Sequence, residues 1–445
     1  MIKFFDTDSY KISHHKQYPE GATHAMAYVE ARGGDHVKFF GLQYILRQME
    51  VPTKEQVEKV AEYARLHFGR DDIFNREGWL KLADLGYYPL RIRAVKEGGV
   101  YPSSVPLITI ENTHPDFVWL VTWFETQILR VWYPTNVATI SYDIRQTVMK
   151  FLEKNGTPET IGIKIHDFGS RGSSSSESAM IGGMSHLLNF QGTDTLAGWM
   201  GAIDWYDADP SSLAFSIAAS EHSTITCWGR ENEKEAYRNI ILQFGGEGNI
   251  YACVSDSYDI WHALNIWKEL EGEILEKGGT LVIRPDSGDP VKTPVDVVMR
   301  LLQLFGYTYN EKGYKVLPDH IRVIQGDGVH KESIRQILHN LDMYGVSSDN
   351  INFGMGGALL QRHDRDTFKF AYKVSAITID GEDRDVYKDP VTDPGKKSKK
   401  GYITAVDHDG EVSYALRCEA GDTDIMSDVF VNGKLSTVKF SDIRE

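Results

Sequence analysis

The stretch Thr280-Leu-Val-Ile-Arg-Pro-Asp-Ser-Gly-Asp-Pro290 runs four strand-type residues into a turn carrying one fixed cation, Arg284, and two carboxylates, Asp286 and Asp289. An Arg beside an Asp, with backbone N–H groups nearby, suits a ligand that has both phosphate and sugar hydroxyls. The other reading is a structural ion pair that closes a loop. A run this short suits a buried strand rather than a core helix. In α/β proteins ligands bind at the carboxyl ends of such strands.

Six further stretches have the same form: His166-Asp-Phe-Gly-Ser-Arg171, Gly192-Thr-Asp194, Glu221-His-Ser-Thr224, Ser255-Asp-Ser-Tyr-Asp259, Gly326-Asp-Gly328 and Gly354-Met-Gly-Gly357. Phe168 is either core or a platform for a planar ring. Asp194 either accepts from an N–H donor or caps a helix. His222, between Glu221 and Ser223, is a nucleophile or acid–base group or else a satisfied core histidine. Gly326, Gly356 and Gly357 either present N–H groups to a phosphate or form ordinary tight turns. Arg362, Arg365 and Lys373 are cations for that phosphate or a solvated helix face. Leu359 breaks the dinucleotide-binding glycine fingerprint, and HExxH, P-loop, GxSxG and Cys/His metal patterns are missing.

Elements must hold these groups. Apolar runs recur at 162–165, 188–190, 214–217, 250–254, 280–283, 321–324 and 351–353, at spacings that fit βα units. Seven units approach the eight of a closed barrel. The first 150 residues read differently. They contain a strand over 25–32, a helix over 53–69 with Thr53 and Gln56 as capping box, strands near 90–98 and 105–111, and a core helix over 117–132. Beyond residue 385 a basic loop, 395–401, precedes alternating strand-like residues. The expected fold is therefore α/β, with residues 151–384 forming a β/α barrel. Residues 1–150 and 385–445 would form an α+β domain.

The chain has 445 residues and a net charge of 48 − 63 = −15, which argues against a nucleic-acid partner but not against a small anion held by a local cationic cluster. Three scattered cysteines, Cys227, Cys253 and Cys418, fit a reducing, cytoplasmic setting. No signal peptide or membrane span is expected.

Asp8-Ser-Tyr-Lys11, Phe40-Gly-Leu-Gln-Tyr-Ile-Leu46, His166-Asp-Phe-Gly169, Gly192-Thr-Asp-Thr195, Glu221-His-Ser-Thr-Ile-Thr226, Val254-Ser-Asp-Ser-Tyr-Asp-Ile260, Ile283-Arg-Pro-Asp-Ser-Gly288, Val323-Ile-Gln-Gly-Asp-Gly-Val329 and Lys388-Asp-Pro-Val391 together carry a resemblance over essentially the whole chain. The sequence resembles the nicotinamide phosphoribosyltransferases. The resemblance implies an incomplete parallel β/α barrel of the type II phosphoribosyltransferases, packed on an α+β domain, working as a homodimer with sites at the subunit interface. It implies transfer of the phosphoribosyl group from phosphoribosyl pyrophosphate to nicotinamide, a step of NAD salvage.

By the same resemblance Phe168 would stack on the pyridine ring, with Tyr10 of the partner on the other face. Asp194 would accept from the carboxamide and repel nicotinate. Arg171, Arg284 and His222 would meet the pyrophosphate, and Asp286 the ribose hydroxyls. Gly326, Asp327, Gly356, Gly357 and Arg365 would hold the ribose phosphate, with Lys373, Lys388 and Lys396 adding cations. Asp259 and Asp286 are the expected partners of Mg²⁺. His222 would be phosphorylated during a facultative ATP hydrolysis. Two departures stand out: Ser170 replaces an aromatic residue, and the segment between Arg32 and Phe39 is short. The alternatives are a nicotinate phosphoribosyltransferase, for which Asp194→Ser changes little, and a non-catalytic phosphosugar-binding barrel. A metal-dependent phosphohydrolase would need more carboxylates than Asp256, Asp259 and Asp286.

Overall fold

The computed structural model describes residues 2–393 and 396–444, so Gly395 at the head of the basic loop lies outside the described residues. The chain divides into two compact units: Met1–Thr139 with Asp204–Asp207 and His363–Glu445, and Ile140–Ile203 with Ala208–Arg362. The expected boundaries at 150 and 385 are displaced. The first division falls inside the helix Trp132–Asn155. The return falls at His363 because the strand Phe370–Ile379, expected within the barrel, pairs antiparallel along Ala22–Ala31.

The first unit is built on a seven-stranded antiparallel sheet. Its order is Glu382–Asp385, Phe370–Ile379, Ala22–Ala31, Ile108–Asn112, Leu90–Ala94, Ser427–Val431, Lys434–Leu435. Trp79, Trp119 and Trp123 lie in its core, with edge-to-face rings 4.9 Å from Trp79 to each of the others. The helix Lys54–Phe68 forms with the expected capping box at Thr53 and Gln56 and ends at Gly69, whose φ of 69° suits glycine. The single helix expected over 117–132 is instead a 3-10 turn, Pro115–Phe117, and two short helices, Leu120–Trp123 and Glu125–Leu129. Aromatic and β-branched residues crowd this stretch, and packing of its rings from several sides replaces one continuous apolar stripe.

The second unit is a ring of seven parallel strands in sequence order: Ile165–Asp167, Gly192–Thr193, Ala218–Ala219, Ile250–Val254, Thr280–Arg284, Ile321–Gln325 and Ile351–Met355. Its last hydrogen-bonded strand returns to the first, Met355 opposite Asp167. The seam between the second and third strands is a single bridge, Gly192 to Phe215, with hydrogen bonds of 2.9 and 3.1 Å. The barrel is therefore narrower than eight strands and weakly closed at one place. The first three strands start later than their apolar runs, because polar residues buried at the ring, such as His166, Asp167 and Thr193, take the pairing positions.

Period-two alternation sets what reaches the site. Leu281 and Ile283 are fully buried on the outer face of the fifth strand. Val282 faces the lumen, where it packs with Ala252, Ile324, Phe168 and Ile217. Burying Val282 and Ile324 stabilises the barrel by roughly 1.5–3 kcal/mol each. Thr280 then falls at the amino-terminal mouth, beside a cavity of about 450 Å³ lined also by Lys164, Arg322 and Asn352. Arg284 falls at the carboxyl end. The helices Lys292–Phe305 and Lys331–Met343 bury apolar stripes, Val298, Leu301, Leu302 and Phe305 on one, Ile334, Ile337, Leu338 and Leu341 on the other.

Candidate active site

Gly326, just beyond the sixth strand, marks the point where three strand ends meet. A side-chain carbon there would lie 2.9 Å from Asp286 Oδ1, 3.7 Å from Arg284 Cδ and 3.9 Å from the Phe168 ring. Gly354 is needed for the same reason: a Cβ there would stand 2.1 Å from Phe168 Cε2. Glycine at both positions leaves the aromatic ring lying across the lumen, half-buried, over Ala252, Val282 and Ile324. The turn residues singled out from sequence thus serve close approach of side chains, whatever their N–H groups do.

Three carboxylates and a histidine follow. His222 starts the short helix His222–Thr226, with Glu221 as N-cap. Its Nε2 is 2.9 Å from Asp256 Oδ1, and its Nδ1 is 3.9 Å from Asp286 Oδ2. The His222 side chain is 46% exposed and Asp256 only 4%. Asp256 also accepts the Asp286 N–H at 3.0 Å and the Ser287 hydroxyl. Arg284 Nη2 lies 3.7 Å from Asp286 Oδ2. Burial raises the Asp286 pKa above the usual carboxylate range; Arg284 and His222 oppose the rise, and Asp256 and Asp327 add to it. The group is therefore an acidic cluster with one half-buried arginine beside it.

At the neighbouring strand ends, Asp194 N donates to the Asp167 carbonyl at 2.9 Å, and the Ser216 hydroxyl donates to Asp194 Oδ1. Asp194 is exposed, and Thr195 N is taken by Thr193 Oγ1 at 3.0 Å. Asp167 is fully buried, its Oδ1 accepting from Gly169 N at 2.7 Å. Burial pushes its pKa up to about 6, with the Asp194 charge adding to the rise. His166 lies beneath Phe168, ring centroids 6.3 Å apart, and burial lowers its pKa.

Other expected residues are placed as follows. Arg171 is exposed in the 3-10 turn Ser170–Gly172. Gly356 is the N-cap of the four-residue helix Gly357–Leu360, and nothing lies within 4 Å of a side chain at Gly357. Tyr10, Arg365, Lys373, Lys388 and Lys396 belong to the first unit. Tyr10 is 59% exposed, with Lys11 Nζ 5.2 Å from its ring centroid. Lys373 is held below the usual lysine range, by burial first and then by the positive charges of Arg32, Lys388 and Arg365, with Glu125 opposing. Those four cations form one cluster. Arg365 also pairs with Asp366 at 3.0 Å, and Lys396 with Asp393 at 3.0 Å.

Asp259 requires a correction. Its Oδ1 accepts from Trp261 N and His262 N at 2.9 and 3.3 Å, capping the helix Ile260–Glu269, and the carboxylate beside Asp286 is Asp256. Asp256 was the missed residue. The available signal was position: it is the first carboxylate past the strand, whereas Asp259 directly precedes a helical pattern. Among the described residues no group of three or more His, Cys, Asp or Glu is arranged to hold a metal ion. Mg²⁺ takes one or two carboxylates plus phosphate oxygens, so a protein-only cage is not required. Asp286 fits that requirement: burial disfavours its charge, and a divalent cation would offset that charge together with those of Asp256 and Asp327.

The model of the nicotinate phosphoribosyltransferase (NAPRTase) family matches residues 163–434, and that of the nicotinamide phosphoribosyltransferase N-terminal domain matches residues 3–92. A nicotinamide phosphoribosyltransferase of Xanthomonas campestris pv. campestris (strain 8004) is 47% identical over 447 residues, covering 97% of this chain and 94% of its own. Another, from Acinetobacter baylyi, is 34% identical, covering 89% and 86%. Among solved structures, nicotinate-nucleotide pyrophosphorylase from Pyrococcus furiosus superposes with a TM-score of 0.63, covering 99% of this chain and 93% of its own. Human nicotinic acid phosphoribosyltransferase gives 0.58, covering 98% and 92%. Both are 16% identical and speak to the fold alone. Barrel and relatives together define a phosphoribosyltransferase of the second structural type. Within that class, the chain belongs to the nicotinamide phosphoribosyltransferase family.

Proposed function

We propose that this protein transfers the 5-phosphoribosyl group of phosphoribosyl pyrophosphate to nicotinamide, giving nicotinamide mononucleotide and pyrophosphate for NAD salvage. The observation that carries this reading is the meeting of Phe168, Arg284 and Asp286 around Gly326, one strand away from Asp194. Phe168 supplies a flat face for the pyridine ring. Asp194 accepts from the carboxamide N–H₂, and its charge disfavours nicotinate.

The ring nitrogen uses its lone pair to bond the anomeric carbon while the carbon–oxygen bond to pyrophosphate breaks. The transition state resembles an oxocarbenium ion. Stacking holds the nitrogen in line, and Arg284 offsets charge on the leaving group. No general base is needed, because the nitrogen carries no proton. Asp286 meets the ribose hydroxyls or the metal. Mg²⁺, when bound there, neutralises diphosphate charge. Within the first unit, the cluster of Lys373, Lys388, Arg365 and Arg32 has the charge that suits a phosphate group.

Facultative ATP use fits His222. With Nε2 facing Asp256, Nδ1 is left as nucleophile. It attacks the γ-phosphorus, the bond to ADP breaks, and water later returns the histidine and frees phosphate. A homodimer, in which the partner's Tyr10 covers the second face of the base, completes the reading. The test is purified protein with phosphoribosyl pyrophosphate and Mg²⁺, offered nicotinamide or nicotinate, with and without ATP. Release of pyrophosphate with nicotinamide mononucleotide is expected, and a preference for nicotinate overturns the base assignment. His222→Ala is expected to abolish ATP hydrolysis and leave slow base transfer; an intact ATPase removes His222 from that step.

A further inference from the structure

Asp167 is bonded toward both groups assigned to the base, Phe168 and Asp194. Its main-chain carbonyl holds the Asp194 N–H at 2.9 Å. Its carboxylate holds Gly169 N at 2.7 Å, closing the turn that carries Phe168, whose own N–H is held by the Met355 carbonyl at 3.0 Å. The residue is therefore a tie between strand ends one and two. Resting on the reading of nicotinamide as substrate, we propose that Asp167 is a positioning residue whose charge state governs discrimination between an uncharged pyridine carboxamide and a pyridine carboxylate.

The surroundings isolate one electrostatic partner. The second strand end offers the charge of Asp194 and the Thr195 hydroxyl. The seventh strand offers Met355 across the ladder, and the short helix Gly357–Leu360 packs Leu360 against Gly169. His166, on the same strand, is buried and its pKa is lowered, so it stays neutral over most of the working range. Burial and Asp194 raise the Asp167 pKa to about 6. Above that value two carboxylates stand together, and a third, on nicotinate, is repelled. Below it Asp167 is neutral, and the penalty against nicotinate shrinks. Nicotinamide carries no charge and is less affected.

The experiment offers both bases in one mixture and follows the ratio of their kcat/KM between pH 5.5 and 8. Titration of phosphoribosyl pyrophosphate affects both bases and cancels in the ratio. The wild type is expected to lose preference for nicotinamide several-fold as pH falls through about 6. In Asp167→Asn, which keeps an oxygen for Gly169 N, the ratio is expected to be flat. A residue that merely supports the fold would lower both rates alike and leave the wild-type inflection in place. A flat wild-type ratio overturns the inference without the variant, as does an inflection that survives Asp167→Asn. Failure of the wild type to turn over either base overturns the phosphoribosyl-transfer reading itself, and this inference with it.

Discussion

At the scale of single residues, the role proposed for Asp194 rests on where its carboxylate is held. One of its oxygens is engaged by Ser216 and its N–H by Asp167, so the carboxylate stands in a fixed place at a strand tip. A hydrogen bond to a charged group contributes about 1.5–3 kcal/mol. Asp194→Ser is accordingly expected to lower the preference for nicotinamide over nicotinate by about 10–100-fold, read as the ratio of kcat/KM. Unchanged ratios would remove Asp194 from base recognition. Asp167 gives a stability prediction with a definite sign. Its folded pKa, about 6, lies above the ordinary value, so the native state binds the proton more tightly than the unfolded chain. Its contribution is most favourable below about pH 4 and is lost as pH rises through about 6. Asp167→Asn removes that loss. Relative to the wild type it should gain on the order of 2–3 kcal/mol between pH 4 and pH 7.5, measured by denaturant unfolding at each pH.

At the scale of elements, each strand delivers side chains by alternation, and two glycines decide whether neighbouring strands can share the space. Gly354 on the seventh strand admits the Phe168 ring of the first; a Cβ would stand at 2.1 and 2.2 Å from two ring carbons. Gly354→Ala is expected to displace that ring and raise KM for the base at least tenfold, with a smaller effect on KM for phosphoribosyl pyrophosphate. Equal effects on both constants would show that the ring does not meet the base. The same alternation explains why Thr280, Val282 and Arg284 fall on one face of the strand, with Arg284 at its carboxyl end.

At the scale of the whole molecule, the proposed homodimer with shared sites makes a direct prediction. Tyr10→Ala and Phe168→Ala proteins should each lose most activity through a raised base KM. Mixed after partial unfolding and reassembly, they should regain activity, because a hybrid holds one site with both aromatics intact. No regain on mixing, with dimers confirmed by sedimentation, would place Tyr10 outside the partner's site.

The order of side chains along each strand, and thus which polar groups sit at strand ends, was written in the local pattern of Thr280–Pro290 and its six counterparts. Local pattern also determined the capped helix Lys54–Phe68. It misplaced the domain return, because pairing of Phe370–Ile379 with Ala22–Ala31 joins positions more than three hundred residues apart. It also chose Asp259 over Asp256, since both follow the same strand and only the start of a helix commits one of them to a cap. Sequence alone sets the residue types and their period. Which carboxylate faces which cation depends on the curvature of a seven-strand ring, and that is fixed only when all seven strands close together.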